Sequence, residues 1–277
     1  MVTAETGWQA RLALEYTRHG GRTTLTGREH SGPLLVQKAL YPEGDAVCHS
    51  IIVHPPGGIA AGDALQLELR LGAGAAALLT TPGAGKWYKS AGPKASLAQQ
   101  FEVGRGAVLE WLPQPAIVFD AARAETRTEI RLHEEGLYLG WEMSCMGRTA
   151  SGERFDSGEL RQRTEVWQQG RRLWCEYARL AGDDPMLASN AGLSGRTVSA
   201  TLIAAGKDIP KDLLARCRSI APETGERSGI TLLPRVLLAR YLGHSSEAAM
   251  HYFIALWSLL RPALAGRSAV LPRIWAT

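Results

Sequence analysis

The chain has 277 residues, 45% of them hydrophobic and 21% charged, which is enough apolar content for one large domain with a substantial core. The net charge of +4 is scattered, without the basic runs or aromatic-basic clusters of a nucleic-acid binder, and no stretch approaches the roughly 18 consecutive apolar residues of a membrane span. Four cysteines, Cys48, Cys145, Cys175 and Cys217, form no CxxC pair, which sets aside a zinc ribbon and a thioredoxin-type redox motif and suits a reduced compartment.

The first residues, Met1 to Gly7, lack the basic and apolar regions of a signal peptide, so a cytoplasmic protein is expected. From Gln9 to about Arg179 the dominant period is two. Strands are predicted near 10–18, 33–39 and 46–54, and again over 63–71, where Leu65, Leu67, Leu69 and Leu71 alternate with Gln66, Glu68 and Arg70. Further strands are expected near 75–81, 106–112, 123–133, 136–145, 159–168 and 171–180, with Gly-rich punctuation between them. Such a succession without intervening helices implies a mainly antiparallel or coiled all-β body, about 9–206. A mixed, partly helical part, about 207–277, completes a single domain. It holds a short helix over 211–219 and a longer one from Ser246 to Arg261, capped by Ser245 or Ser246 and stopped by Pro262.

Two segments concentrate glycine, proline and a few polar side chains at the ends of strand-like runs, residues 54–63 and 80–90. In the second, Gly83-Ala-Gly-Lys86 invites a phosphate-loop reading, but Thr80 stands where the first glycine belongs and Trp87 follows the lysine. A tight turn between strands is the better reading. Neither a GxSxG elbow nor an HExxH zinc motif occurs. Cys48, His49 and His54 lie close in sequence, yet on one strand only Cys48 and His54 share a face, about 20 Å apart. No tight metal site is expected there, and His54 is read as bracing the Pro-Pro-Gly-Gly turn. Asp63, at a turn, and Glu142 and Glu176, within apolar strand-like segments, must face water, pair with a cation such as Arg148, Arg161 or Arg163, or line a polar interior passage.

The first segment places His54, Pro55, Pro56, Gly57, Gly58, Gly62 and Asp63 in the pattern HPPGG-x-x-x-GD. In the second, Thr80, Thr81, Pro82, Gly83, Lys86, Tyr88 and Ser90 spell TTPG-x-x-K-x-Y-x-S. Together with Gly7-Trp8-Gln9, Glu110-Trp111-Leu112-Pro113-Gln114, Gly140-Trp141-Glu142 and the closing Pro272-Arg273-Ile274-Trp275-x-Thr277, they make the chain resemble the UreD (UreH) family of urease accessory proteins over essentially its whole length. That resemblance implies a β-rich, helix-like stack of strands with a small helical part, and a maturation factor rather than an enzyme. It further implies partners: the urease apoprotein, UreF and, through UreF, the GTPase UreG. An internal water-filled tunnel would carry nickel toward the urease active site, so Ni2+ would be bound transiently and no cofactor held tightly. Asp63 and Glu176, with Glu142, are the residues expected to line or stabilise that passage. Trp257, Arg261, Arg273 and Trp275 combine apolar bulk with arginine and are candidates for partner docking, core packing of the two tryptophans being the competing reading. Two other functions stay in view: a phosphate- or nucleotide-binding enzyme using the 80–90 loop, and a nickel-storage protein, which the lack of a His-rich tract disfavours.

Overall fold

A computed structural model describes residues 7–276; the leader reading on the first six residues and the motif's final Thr277 lie outside them. The chain opens with an antiparallel hairpin, β1 (Gln9–His19) and β2 (Arg22–Ser31), followed by β3 (Leu35–Val36) and β4 (Cys48–Val53). It then alternates between two sheets. The strands of this stretch are β5 (Ala64–Leu71), β6 (Ala76–Thr80), β7 (Gly85–Trp87), β8 (Ala95–Val103), β9 (Val108–Trp111), β10 (Ala116–Val118), β11 (Arg123–Leu132), β12 (Leu137–Met146) and β13 (Glu159–Gln168). One sheet runs β14-β13-β11-β8-β5-β1-β2, with β14 spanning Arg171–Ala181. The other runs β16-β17-β15-β12-β9-β6-β4-β3, with β15 (Val198–Ala205), β16 (Arg227–Leu233) and β17 (Val236–Gly243).

The central strands pair in parallel, β5 to β8 to β11 to β13 in the first sheet and β4 to β6 to β9 to β12 in the second. The body is therefore a coil of strands of about four turns, and the antiparallel alternative is corrected. Alternation of apolar and polar residues reports only that one face of a strand is buried; it is the same for either pairing. What sets the coil is the corner. Gly74, Gly106 and Glu135 each adopt a left-handed backbone at equivalent corners (φ +67°, +61° and +56°). The corners also stack, Gly74 N–H donating to Arg105 O and Gly106 N–H to Glu134 O. A Cβ on Gly104 would lie 2.5 Å from Leu71 O, so only glycine permits that approach.

Two helices cover the outer face of the second sheet, α1 (Lys211–Ser219) and α2 (Ser246–Ala265). One apolar core lies between the sheets and another between the second sheet and the helices. Strand β12 is consequently buried on both faces: Leu139, Trp141 and Met143 point to the helices, and Tyr138, Glu142 and Ser144 point inward to the first sheet. Ser245 caps α2 by accepting from Ala248 N–H, but the helix continues one turn past Pro262 and ends at Gly266 in the left-handed conformation. A proline in the last turn gives up one hydrogen bond, to the carbonyl of exposed Ser258, which water can satisfy. Among the described residues no helix is long and apolar enough to cross a membrane.

Candidate functional site

The two glycine-proline segments meet at one end of the coil. Ile59 N–H donates to Lys86 O (2.7 Å) and Tyr88 N–H to Ile59 O (3.0 Å), clipping the loops together. A Cβ on Gly58 would meet the Tyr88 ring at 2.4 Å, which explains the second glycine of the pair. Pro55, Pro56, Pro82 and Gly83 form the exposed tips. Thr80, ending β6, donates from Oγ1 to Leu112 O (2.6 Å) and accepts from Trp275 Nε1 (2.8 Å). Thr81 Oγ1 accepts from Gln114 N–H (2.9 Å), and Ser90 Oγ donates to Pro93 O. The turn after β6 leads into β7, which contains Lys86, with no helix after it, so the phosphate-loop context is absent.

Asp63 is buried behind this turn. Its Oδ1 accepts from Trp8 N–H and its Oδ2 from Ala60 N–H, both at 2.7 Å, and it lines neither cavity described below. Its carboxylate is thus committed to holding the loop. Asp63→Ala should cost about 1–3 kcal/mol by leaving two backbone donors unpaired; urea unfolding measures it, and an unchanged midpoint would count against the bracing role.

Behind the loops, between the sheets, lies a cavity of about 370 Å³. Its apolar wall includes Leu65, Leu67, Leu97 and Trp111, and its polar groups include His54, Gln99, Glu142, Ser144 and Gln162. His54 Nε2 and Gln99 Oε1 are buried without a hydrogen-bond partner. Burial lowers the His54 pKa, opposed by the charge of Asp63, so its ring is neutral at physiological pH. Buried polar atoms left unpaired by protein imply water or a polar visitor.

A second pocket of about 70 Å³ shares Glu142, Ser144 and Gln162 with the first and continues to Glu176 and Arg240. Strand register explains the path. In the first sheet Gln99, Thr128, Thr164 and Glu176 are mutual partners across β8, β11, β13 and β14, one polar side chain per strand. In the second sheet Glu142, Thr201 and Arg240 form the matching row across β12, β15 and β17. The rows face one another. Gln99 Nε2 donates to Thr128 Oγ1 (3.0 Å), and Glu142 accepts from Thr128 Oγ1 (2.7 Å) and, more weakly, from Thr164 Oγ1 (3.4 Å). At about 4.8 Å per strand, the row from Gln99 to Glu176 spans roughly 14 Å. Burial pushes the Glu142 pKa up, the two threonine hydroxyls oppose this, and Glu176 adds to it.

The structure thus brings Glu142 and Glu176 to one pocket and leaves Asp63 outside it. The arginines offered as their partners pair elsewhere: Arg148 with Glu153, Arg161 with Glu159 and Arg163 with Glu165. Glu176 pairs instead with Arg240. Besides Glu142 and Glu176 themselves, the polar rows had a further sequence signal in Gln99, which interrupts the inward series Leu97, Phe101 and Val103.

The docking candidates divide. Arg261 and Trp257 are 0% and 1% exposed, so the reading of them as a docking surface is corrected: they lie on the buried face of α2 with polar atoms on Glu110. Trp275 is half-buried near Trp141 and Thr80, at the base of the second loop, and Arg273 is exposed. His49 Nε2 lies 2.6 Å from Glu43, and among the described residues no three His, Cys, Asp or Glu side chains gather as a metal site.

A family model described as UreD urease accessory protein matches residues 9–276. A urease accessory protein UreD from Azoarcus sp. is 53% identical over 274 residues, covering 99% of this chain and 96% of the relative. Its namesake from Dechloromonas aromatica is 52% identical over 273 residues, covering 98% and 95%. One from Nitrosospira multiformis is 42% identical over 279 residues, covering all of both chains.

Proposed function

The chain belongs to the UreD family of urease accessory proteins, with a role in urease maturation, and we propose that it performs that role as a non-catalytic scaffold and nickel conduit. In this reading it binds the urease apoprotein and UreF, and UreG through UreF. Nickel is the cargo. The observation that carries the reading is the pair of facing polar rows that leads from the loop-end cavity past Glu142 to Glu176. A conduit needs weak, successive oxygen ligands, because a closed site would retain the ion. Glu142 suits this: it has two hydroxyl partners and no countercharge in hydrogen-bond contact, and burial makes it reluctant to stay charged. Neither rival has comparable support, since the 80–90 loop lacks a following helix and no cluster of metal-binding side chains forms among the described residues.

The test combines urease apoprotein, UreF, UreG with GTP, nickel and bicarbonate with this chain or its Glu142→Gln variant. The wild-type chain should be required for ammonia release. Glu142→Gln keeps a side chain that can bond both threonines, so the complex should assemble while activation falls at least about ten-fold, as expected on losing a carboxylate from a metal path. Activation by the wild type should also decline on acidification, as Glu142, with its raised pKa, takes up a proton before an ordinary carboxylate would. Full activation by the variant would remove Glu142 from the route.

A further inference from the structure

The two polar rows end where β14, the edge strand of one sheet, and β17, next to the edge of the other, stand opposite. There Arg240 Nη2 lies 2.7 Å from Glu176 Oε1, and Arg240 Nη1 donates to Thr201 Oγ1 (3.2 Å). Every other member of the rows is neutral or acidic, namely Gln99, Thr128, Thr164, Glu142 and Thr201. A guanidinium there occupies the carboxylate that an arriving divalent cation would need, and like charges at contact distance exclude one another. We propose that Arg240 is the gate of this route: it masks Glu176 at rest, and the ion reaches or leaves Glu176 when the arginine side chain swings away. The proposal rests on the conduit reading of the rows.

The surroundings fit a side-chain gate. Strand β17 is hydrogen-bonded on both sides, by β15 and β16, so the backbone under Arg240 is fixed. The side chains themselves are 47% and 34% exposed, and an ion pair that open to water is weak enough to part readily. The pair also spans the two sheets, so its parting widens the pocket that holds Glu142 and Ser144.

The experiment is equilibrium dialysis of the full chain against Ni2+ alone, comparing wild type, Arg240→Gln, Arg240→Lys, Glu176→Gln and the double variant Arg240→Gln/Glu176→Gln. Arg240→Gln should bind nickel more tightly than wild type, by up to about five-fold, the upper range for removing one half-exposed ion pair. Arg240→Lys should behave as wild type, and the double variant should lose the gain. Glu176→Gln breaks the same pair without baring a carboxylate, so it should show no gain; this separates unmasking from a general loosening of the edge. Equal nickel binding by Arg240→Gln and wild type would overturn the gate, even if Glu142→Gln impairs activation and the conduit stands. Conversely, unimpaired activation by Glu142→Gln together with a gain in Arg240→Gln would remove Glu142 from the route while leaving Arg240 as the group that masks Glu176.

Discussion

Arg261→Ala is expected to lower the free energy of unfolding by about 3–5 kcal/mol at pH 7, the cost of leaving buried carboxylates without their countercharge. The guanidinium is fully buried, and each of its three nitrogens donates. Nε lies 3.0 Å from both Glu110 oxygens, Nη1 and Nη2 lie 2.6 and 2.8 Å from the two Glu43 oxygens, and Nη1 also reaches Ser268 O. Trp257 Nε1 donates to Glu110 (2.7 Å), and His49 closes the other side on Glu43. Helix α2 is thereby tied to β9 and to the segment before β4. Burial pushes the Glu110 pKa up against the opposing pull of Arg261 and Trp257. For Glu43, burial also pushes upward, but hydrogen bonds from His49 and Arg261 outweigh it and hold the pKa below the ordinary value.

The sign of the pH dependence follows. A depressed native pKa gives Glu43 a contribution that is present above its unfolded pKa and lost on acidification through the native one. In Arg261→Ala that contribution is reduced, and Glu110, raised further without its partner, binds a proton more readily folded than unfolded. That penalty is relieved as pH falls. The gap between wild type and variant should therefore narrow from pH 7 toward pH 5, as followed by urea unfolding. A deficit below about 1 kcal/mol at pH 7 would mean that the network is not the fastening described here.

Local chemistry made some of this legible in the sequence. The Leu65-to-Leu71 alternation is β5 with those four leucines buried, the start of α2 is where Ser245 caps it, and the two glycine-proline segments are the loops at the cavity mouth. The polar, exposed edge strand β2 carried no alternation to read, and the hairpin of β16 and β17 was missed in a stretch read as partly helical. Other features were beyond local reading because they are matters of register. Gln99, Thr128, Thr164 and Glu176 lie 29, 36 and 12 positions apart in sequence; parallel stacking aligns the first three, and the antiparallel pairing of β13 with β14 adds Glu176. The same holds for Arg261, whose partners are 218 and 151 positions away. An arginine on an apolar helix beside tryptophan has the composition of an interface, and only the buried carboxylates opposite distinguish it as core.

The largest functional effect should come from filling the route itself. Ser144 is 5% exposed, sits on the inward face of β12, and lines both the cavity and the smaller pocket beyond it. Its Oγ accepts from Gln162 Nε2 at 3.3 Å, a weak bond whose loss is tolerable. A cysteine at this position changes volume little, yet a bulky aromatic thiol attached through a disulfide would extend into the space that both pockets share. Cys175 is the exposed native thiol, while Cys48, Cys145 and Cys217 are buried, so a Cys175→Ser background leaves the introduced thiol as the one facing the cavity.

The decisive measurement is urease activation by Ser144→Cys/Cys175→Ser before modification, after disulfide attachment of the aromatic thiol, and after its release by reductant. Mass spectrometry verifies each state, with the Cys175→Ser chain as control. If nickel travels between the sheets, the modified protein should still assemble with its partners while activation falls to the level seen without the chain and returns on reduction. Undiminished activation by fully modified, assembled protein would contradict an internal route past Glu142.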